Sequence, residues 1–301
     1  MSAKIPPPST TLAAMLNELA RNEGFTPSRV PGIKFMKATQ NWPKQKVTYE
    51  PGIVIVAQGR KRGHLGGQTF NYDANNYLVL SVPLPFLCDT EASPEEPMLG
   101  FSVNVNPSVV AELLMDMRDL PPPSESTLLA MRSYPLDEEL SDVAHRLLST
   151  LRSQEESKIL APLLVKELTY RILRREQGSF LRALAAPHSH FGQINKALIR
   201  MREDFSAPMD VTDLAREAGM SVSTFHSHFK AITATPPLQY LKSVRLQKAR
   251  LLMIEGSNAA TAAREVGYES VSQFSREFKR YFNDTPMALA AKMRDTAMSY
   301  E

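Results

Sequence analysis

The chain has 301 residues, 43% of them hydrophobic, and a formal net charge of +3 whose whole excess falls after residue 190. That length supports more than one hydrophobic core, and so small a charge excludes binding by a general basic field. The single cysteine, Cys88, excludes an internal disulfide framework and a cysteine-based zinc site.

Residues 1–30 read as an N-terminal arm that starts with Pro6–Pro8 and carries a short helix from Thr10 to Asn22, with Leu12, Met15, Leu16 and Leu19 on one side. From Gly32 to Val105 the period changes. Short β-branched and aromatic runs alternate with the turn signals Pro51-Gly52, Gly66-Gly67, Asp73–Asn76 and Ser93–Pro97, which predicts a small barrel or sandwich. Trp42, Tyr49, Tyr72 and Phe101 are expected in its core. His64 stands in a Gly-rich hairpin and reads as a solvated turn residue. A metal enzyme built on such a barrel needs two or three histidines and an acid. Only His64 lies in this region, so neither metal nor cofactor is expected. Cys88, after Phe86-Leu87, has two readings: a small buried hydrophobe, or an effector- or redox-sensing thiol.

Helices return at Asn106, a cap residue followed by Pro107, with Val109 to Met117 helical. Pro121 to Ser126 breaks the chain. Leu136–Arg152 and Glu155–Arg174 are then amphipathic, fit to pack on the barrel or against a second copy. Residues 31–178 thus form one domain, 179–190 a linker, and 191–301 a second domain that opens with a helix from Gln193 to Phe205.

The second domain holds a repeat. LAREAGMSVSTFHSHFK (Leu214–Lys230) and AAREVGYESVSQFSREFK (Ala262–Lys279) share Ala-Arg-Glu, a turn glycine (Gly219, Gly267), a serine (Ser221, Ser270) and a Phe-x-x-x-Phe pair. The second copy carries one extra turn residue, Glu269. Glycine ends the first helix in the left-handed conformation, serine caps the next, and the two Phe bury one face. The opposite face carries Ser223, Thr224, His226 and Ser227 in one copy and Ser272, Gln273 and Arg276 in the other. Such a helix-turn-helix fits a DNA major groove, and motifs are expected over about 211–232 and 259–282. Gln273 also stands three after Ser270 in the form of a capping box, so its amide can serve its own helix end instead. Between the motifs, Pro236 to Gly256 predicts a single helix of about 27 Å, of the order of one DNA turn.

RLQKARLLM, GYES and FSREFKRYF resemble the signature of the AraC/XylS family of bacterial transcription regulators over roughly the last hundred residues. Ala234 and Asn283-Asp284 stand where that family often has glycine. YEPGIVIVAQGRK, YLVLSVPLP and ASPEEPMLG resemble the N-terminal domain of its YqhC-like branch. The resemblance implies an α+β protein: an N-terminal cupin-like β-barrel with a helical arm, then an all-α domain with two helix-turn-helix motifs. It also implies a transcription activator that answers a small-molecule effector, binds double-stranded promoter DNA and RNA polymerase, and forms a homodimer in the family's manner. It places Arg276 at a DNA-contact position. With no apolar run near eighteen residues and no signal-peptide core, a cytoplasmic protein free of membrane is expected. The rival readings are a cupin-type enzyme or small-molecule-binding protein with a vestigial DNA-binding domain, which the missing histidines oppose, and a DNA-repair fusion, which one cysteine cannot supply.

Overall fold

The computed structural model describes residues 8–117, 120, 130–175, 178–182, 189–289 and 291. They fall into two compact units that divide between Ser189 and His190.

The first unit opens with α1 (Pro8–Leu19) and β1 (Gly24–Pro27). The strands that follow are β2 (Ile33–Ala38), β3 (Trp42–Tyr49), β4 (Gly52–Gln58), β5 (Arg60–Leu65), β6 (Gln68–Asp73), β7 (Asn76–Leu80), β8 (Leu84–Glu91), β9 (Met98–Asn104) and β10 (Met131–Pro135). They form a six-stranded sheet in the order β1-β2-β9-β4-β7-β10 and a four-stranded sheet in the order β3-β8-β5-β6. The turn signals lie at the joints: Gly66 and Gly67 both have positive φ between β5 and β6, and Asn75 N–H donates to Asp73 Oδ1 (3.0 Å) between β6 and β7. Strand β4 is buried along Gly52–Ala57 because α1 covers one face while the sandwich interior takes the other. A strand covered on both sides reads as a continuous apolar run, here GIVIVA.

Residues 8–27 are therefore built into this unit and are no arm. The stripe of Leu12, Leu16 and Ala20 is almost fully buried, and β1 pairs with β2 in antiparallel register. Residues 1–7 lie outside the described region. Tyr49, Tyr72 and Phe101 are buried as expected, whereas Trp42 is half-buried at the start of β3, with its indole N–H toward Glu23 Oε1 (3.5 Å). Strand β10 has no counterpart in the sequence reading. Its residues, MRSYP, carry no alternation, and pairing along β7 makes it a strand.

The helical part begins at α2 (Pro107–Asp116), where Asn106 Oδ1 accepts from Ser108 N–H. The expected break at Pro121–Ser126 lies outside the described residues. Next is α3 (Glu138–Thr150), capped by Asp137. The predicted helix Glu155–Arg174 is two, α4 (Gln154–Ile159) and α5 (Ala161–Leu173), because Pro162 has no N–H to continue the ladder. Helix α3 packs on α1 and α5, and Arg146 donates two parallel hydrogen bonds to Glu167 across the pair (2.9 and 2.8 Å). Part of the expected linker is also structured. In α6 (Ser179–Arg182), Arg182 is 5% exposed, and its Nη1 donates to the carbonyl of Leu173 at the end of α5 (2.7 Å) and to that of Arg175 just beyond it (3.3 Å).

The second unit consists of α7 (His190–Glu203), α8 (Val211–Glu217), α9 (Val222–Thr233), α10 (Pro237–Ile254), α11 (Ala259–Glu265) and α12 (Val271–Phe282). No described helix is long and apolar enough to cross a membrane.

If α1 belongs to the core, Leu16→Ala should lower stability by about 2–5 kcal/mol. Chemical unfolding checks it, since a loose arm would leave the midpoint unmoved.

Candidate nucleic-acid interface

The two halves of the second unit repeat one construction. Helix α8 ends at Gly219 (φ +66°) and α11 at Gly267 (φ +81°). In the first turn Met220 N–H donates to Ala215 O (2.9 Å) and Gly219 N–H to Arg216 O (3.0 Å). In the second, Tyr268 N–H donates to Ala263 O (2.9 Å) and Gly267 N–H to Arg264 O (3.0 Å). These paired bonds satisfy carbonyls that a helix end otherwise leaves open. The next helix then starts on a serine: Ser221 Oγ accepts from Thr224 N–H, and Ser270 Oγ from Gln273 N–H, each at 3.2 Å. The second helix of each motif buries a Phe pair. Phe225 and Phe229, and Phe274 and Phe278, have ring centroids 5.5 and 5.4 Å apart and no exposed surface. Both helices also stop on a left-handed residue, Ala234 (φ +55°) after α9 and Asn283 (φ +58°) after α12.

The expected DNA-facing residues share the surface opposite the Phe pairs. Ser223, His226 and Ser227 on α9 are exposed, as are Ser272, Gln273 and Arg276 on α12. Thr224 is half-buried, with its Oγ1 2.8 Å from Ser221 Oγ, so its hydroxyl takes part in the helix cap. Gln273 does not complete a capping box. Its side-chain Nε2 lies 3.4 Å from Glu277 Oε1 instead. Arg276 makes no ion pair or hydrogen bond among the described residues, which leaves its guanidinium open to an outside partner. Of the residues singled out on these faces, only Arg276 carries a permanent charge.

Two residues that sequence reading passed over hold the second motif in place. Arg245, from the middle of α10, donates to the carbonyls of Phe205 (2.7 Å), Ala207 (2.9 Å) and Gly267 (3.3 Å), tying the turn to the loop after α7. Glu277 accepts from Lys242 Nζ and from the Tyr268 hydroxyl, each at 2.9 Å. Burial would raise its pKa, but the bonds from Lys242, Tyr268 and Gln273 prevail and hold it below the usual glutamate range. In the first motif the matching position is His228, whose ring stacks on His190 of α7 at 4.1 Å.

The first unit holds the other candidate. Cys88 is 2% exposed, with Sγ 3.1 Å from the Tyr72 hydroxyl. Beside it lies Lys61, buried, its Nζ donating to Thr90 Oγ1 (2.9 Å). Desolvation lowers the pKa of this amine, opposed by Cys88 and Asp89. His64 is not the solvated turn residue expected. It stands within β5, its side chain 18% exposed, with Nε2 2.6 Å from Asp89 Oδ2 and Nδ1 3.0 Å from Thr69 Oγ1. Asp89 also accepts from Arg62 Nε (2.7 Å). Among the described residues no three His, Cys, Asp or Glu converge as a metal site.

A β-sandwich unit followed by a helical unit with two helix-turn-helix motifs defines a DNA-binding transcription regulator. The chain belongs to the AraC-type transcriptional regulators: the model of that family's N-terminus matches residues 29–180, and a helix-turn-helix domain model matches residues 214–292. It is 26% identical over 246 residues to the thermoregulatory protein LcrF of Yersinia pestis, covering 79% of this chain and 88% of that one. Over 245 residues it is 26% identical to the virulence regulon transcriptional activator VirF of Yersinia enterocolitica, again with 79% and 88% covered. The fold matches apo ToxT K231A of Vibrio cholerae with a TM-score of 0.62 at 14% identity, covering 88% of this chain and 98% of that one. Wild-type ToxT with bound unsaturated fatty acid matches with a TM-score of 0.59 at 13% identity, covering 86% and 93%.

The turns predict three unequal substitutions. A Cβ at Gly267 would sit 2.3 Å from Ser206 O, whereas at Gly219 its nearest neighbour is Gln193 Nε2 at 3.6 Å. Gly219→Ala should therefore cost only the left-handed penalty, about 1–2 kcal/mol, and Gly267→Ala clearly more. Ala234→Gly should stabilise by up to about 1 kcal/mol, the same penalty removed less the added chain entropy. Thermal unfolding of the three variants tests the order.

Proposed function

We propose that this regulator is an effector-responsive activator that reads promoter DNA with both helix-turn-helix motifs. The observation that carries this reading is the repeated turn, cap and Phe pair, which leaves one polar face exposed on each reading helix. Ser223, Thr224, His226 and Ser227 meet one half of the site, and Ser272, Gln273 and Arg276 the other. The open N–H groups at the starts of α9 and α12 and nearby cations, Lys230, Lys279 and Arg280, engage phosphates. With 18 residues, α10 separates the motifs by about 27 Å along its axis, a spacing suited to successive major grooves.

Residues 31–178 serve as the effector and dimerisation domain and 191–301 as the DNA-binding domain. ToxT has been solved with an unsaturated fatty acid bound, so a fold of this kind accommodates a small effector. Homodimer formation is supported by an apolar face on α4 and α5, where Ile159 and Leu163 are 59% and 61% exposed. RNA polymerase is the partner through which an activator acts, and the cytoplasm is where it meets promoter DNA. Cys88 keeps two readings, a small buried hydrophobe or the sensing thiol, and its burial favours the first.

The main test is Arg276→Ala. A free guanidinium at this position pairs in bidentate fashion with guanine O6 and N7, so its loss should weaken operator binding about 10- to 100-fold and relax preference at one base pair. The salt slope should change little, whereas losing a phosphate contact lowers it by about one. Titrations against operator variants at several salt concentrations decide. Uniform weakening with a changed slope makes Arg276 a backbone contact.

Cys88→Ser changes volume only a little and keeps a hydroxyl partner for Tyr72. With the sulfur this buried, DNA binding and induction in a reporter strain should both persist. Lost induction with retained DNA binding would make Cys88 the sensor.

A further inference from the structure

The Gln273 amide is held by a group that determines which way it faces. Glu277, one turn along α12, receives Gln273 Nε2 at 3.4 Å and Lys242 Nζ at 2.9 Å on Oε1, and the Tyr268 hydroxyl at 2.9 Å on Oε2. Its side chain is 13% exposed, so these three donors are its surroundings. An ionised carboxylate only accepts hydrogen bonds. The NH₂ end of the Gln273 amide must therefore face Glu277, and turning the amide over would set two acceptor oxygens against each other. One hydrogen of that NH₂ is used on Glu277. The other hydrogen and Oε1 form the outward edge.

This restriction has a consequence for reading bases. A freely turning glutamine offers oxygen or NH₂ to the same point in space and so accepts an amino or a keto group there. A fixed amide does not. Its Oε1 needs a donor, which adenine supplies at N6 and cytosine at N4, whereas guanine O6 and thymine O4 are acceptors. We propose that Glu277 is a positioning residue that sets the base preference of the second motif, holding the Gln273 oxygen toward the groove so that it selects a base with an exocyclic amino group. The proposal rests on the reading of Gln273 as a base contact. It is confined to one motif, because the position matching Gln273 is Thr224, bonded to the cap, and the position matching Glu277 is His228.

Glu277 also ties α12 to α10 through Lys242, so the test must separate amide orientation from helix placement. The full-length protein is used to select sites from a randomised double-stranded DNA pool. Wild type and variants are then titrated against all four base pairs at the position that Gln273→Ala flattens. Wild type should favour amino over keto bases there by about tenfold, and Glu277→Gln, whose own amide both donates and accepts, should cut that ratio to about twofold or less. In the Gln273→Ala background Glu277→Gln should add nothing at that position. Lys242→Met breaks the tie between helices but leaves the amide held, so it should weaken all sequences alike and keep the ratio. If Glu277→Gln lowers the thermal midpoint, Gln273→Asn replaces it: the exposed, shorter amide falls short of Glu277 and should lose the ratio too. The proposal is overturned if either variant retains the ratio, or if Lys242→Met erodes it as Glu277→Gln does. Should Gln273→Ala flatten no position, Gln273 is not a base reader and the proposal falls with that assignment. A flattened position combined with an intact ratio in Glu277→Gln rejects the role of Glu277 alone.

Discussion

The helical unit depends on two backbone positions that must turn left-handed, Gly219 and Gly267. At each, the missing Cβ lets two consecutive N–H groups reach back to the carbonyls of the ending helix. Those bonds fix where the chain leaves one helix and so the direction in which the next one starts. The serine cap, the buried Phe pair and the exposed polar face follow from that direction, because helical periodicity assigns every later residue to a side. At Gly267 the constraint is doubled, since the Ser206 carbonyl occupies the space a side chain would need. Arg245 then holds both backbones from below.

The sandwich unit is organised by covering. Strand β4 is apolar on both faces because α1 closes the outer one, and α3 in turn covers α1. The four-stranded sheet sorts its polar residues by the twofold alternation of a strand. Arg62 and His64 meet Asp89 on one face of β5 and β8, while Lys61 and Cys88 face the other way with Tyr72. Two chemically distinct layers are thereby written into one pair of strands.

Local features of this fold were legible in the sequence. Turn glycines, caps, the Phe spacing and the β-branched runs act within a few residues of themselves, so Gly219, Ser221, Phe225 and GIVIVA announce their roles without knowledge of the rest. Features that depend on a distant partner were not legible. MRSYP becomes strand β10 only beside β7, His64 leaves the class of solvated residues only because Asp89 stands diagonally across on β8, and residues 8–27 join the core through a sheet they do not predict. The candidate interface divides in the same way. The exposed faces follow from periodicity, but Glu277 looks like an ordinary surface acid until Lys242 and Tyr268 are seen to converge on it.

Helices α9 and α12 share a skeleton yet are anchored by unlike side chains, His228 stacked on His190 in one and Glu277 bonded to Lys242 in the other. Here the anchoring residues differ in charge, in chemistry and in the helix they lean on. A substitution that loosens one of these anchors therefore leaves the other helix's anchor in place.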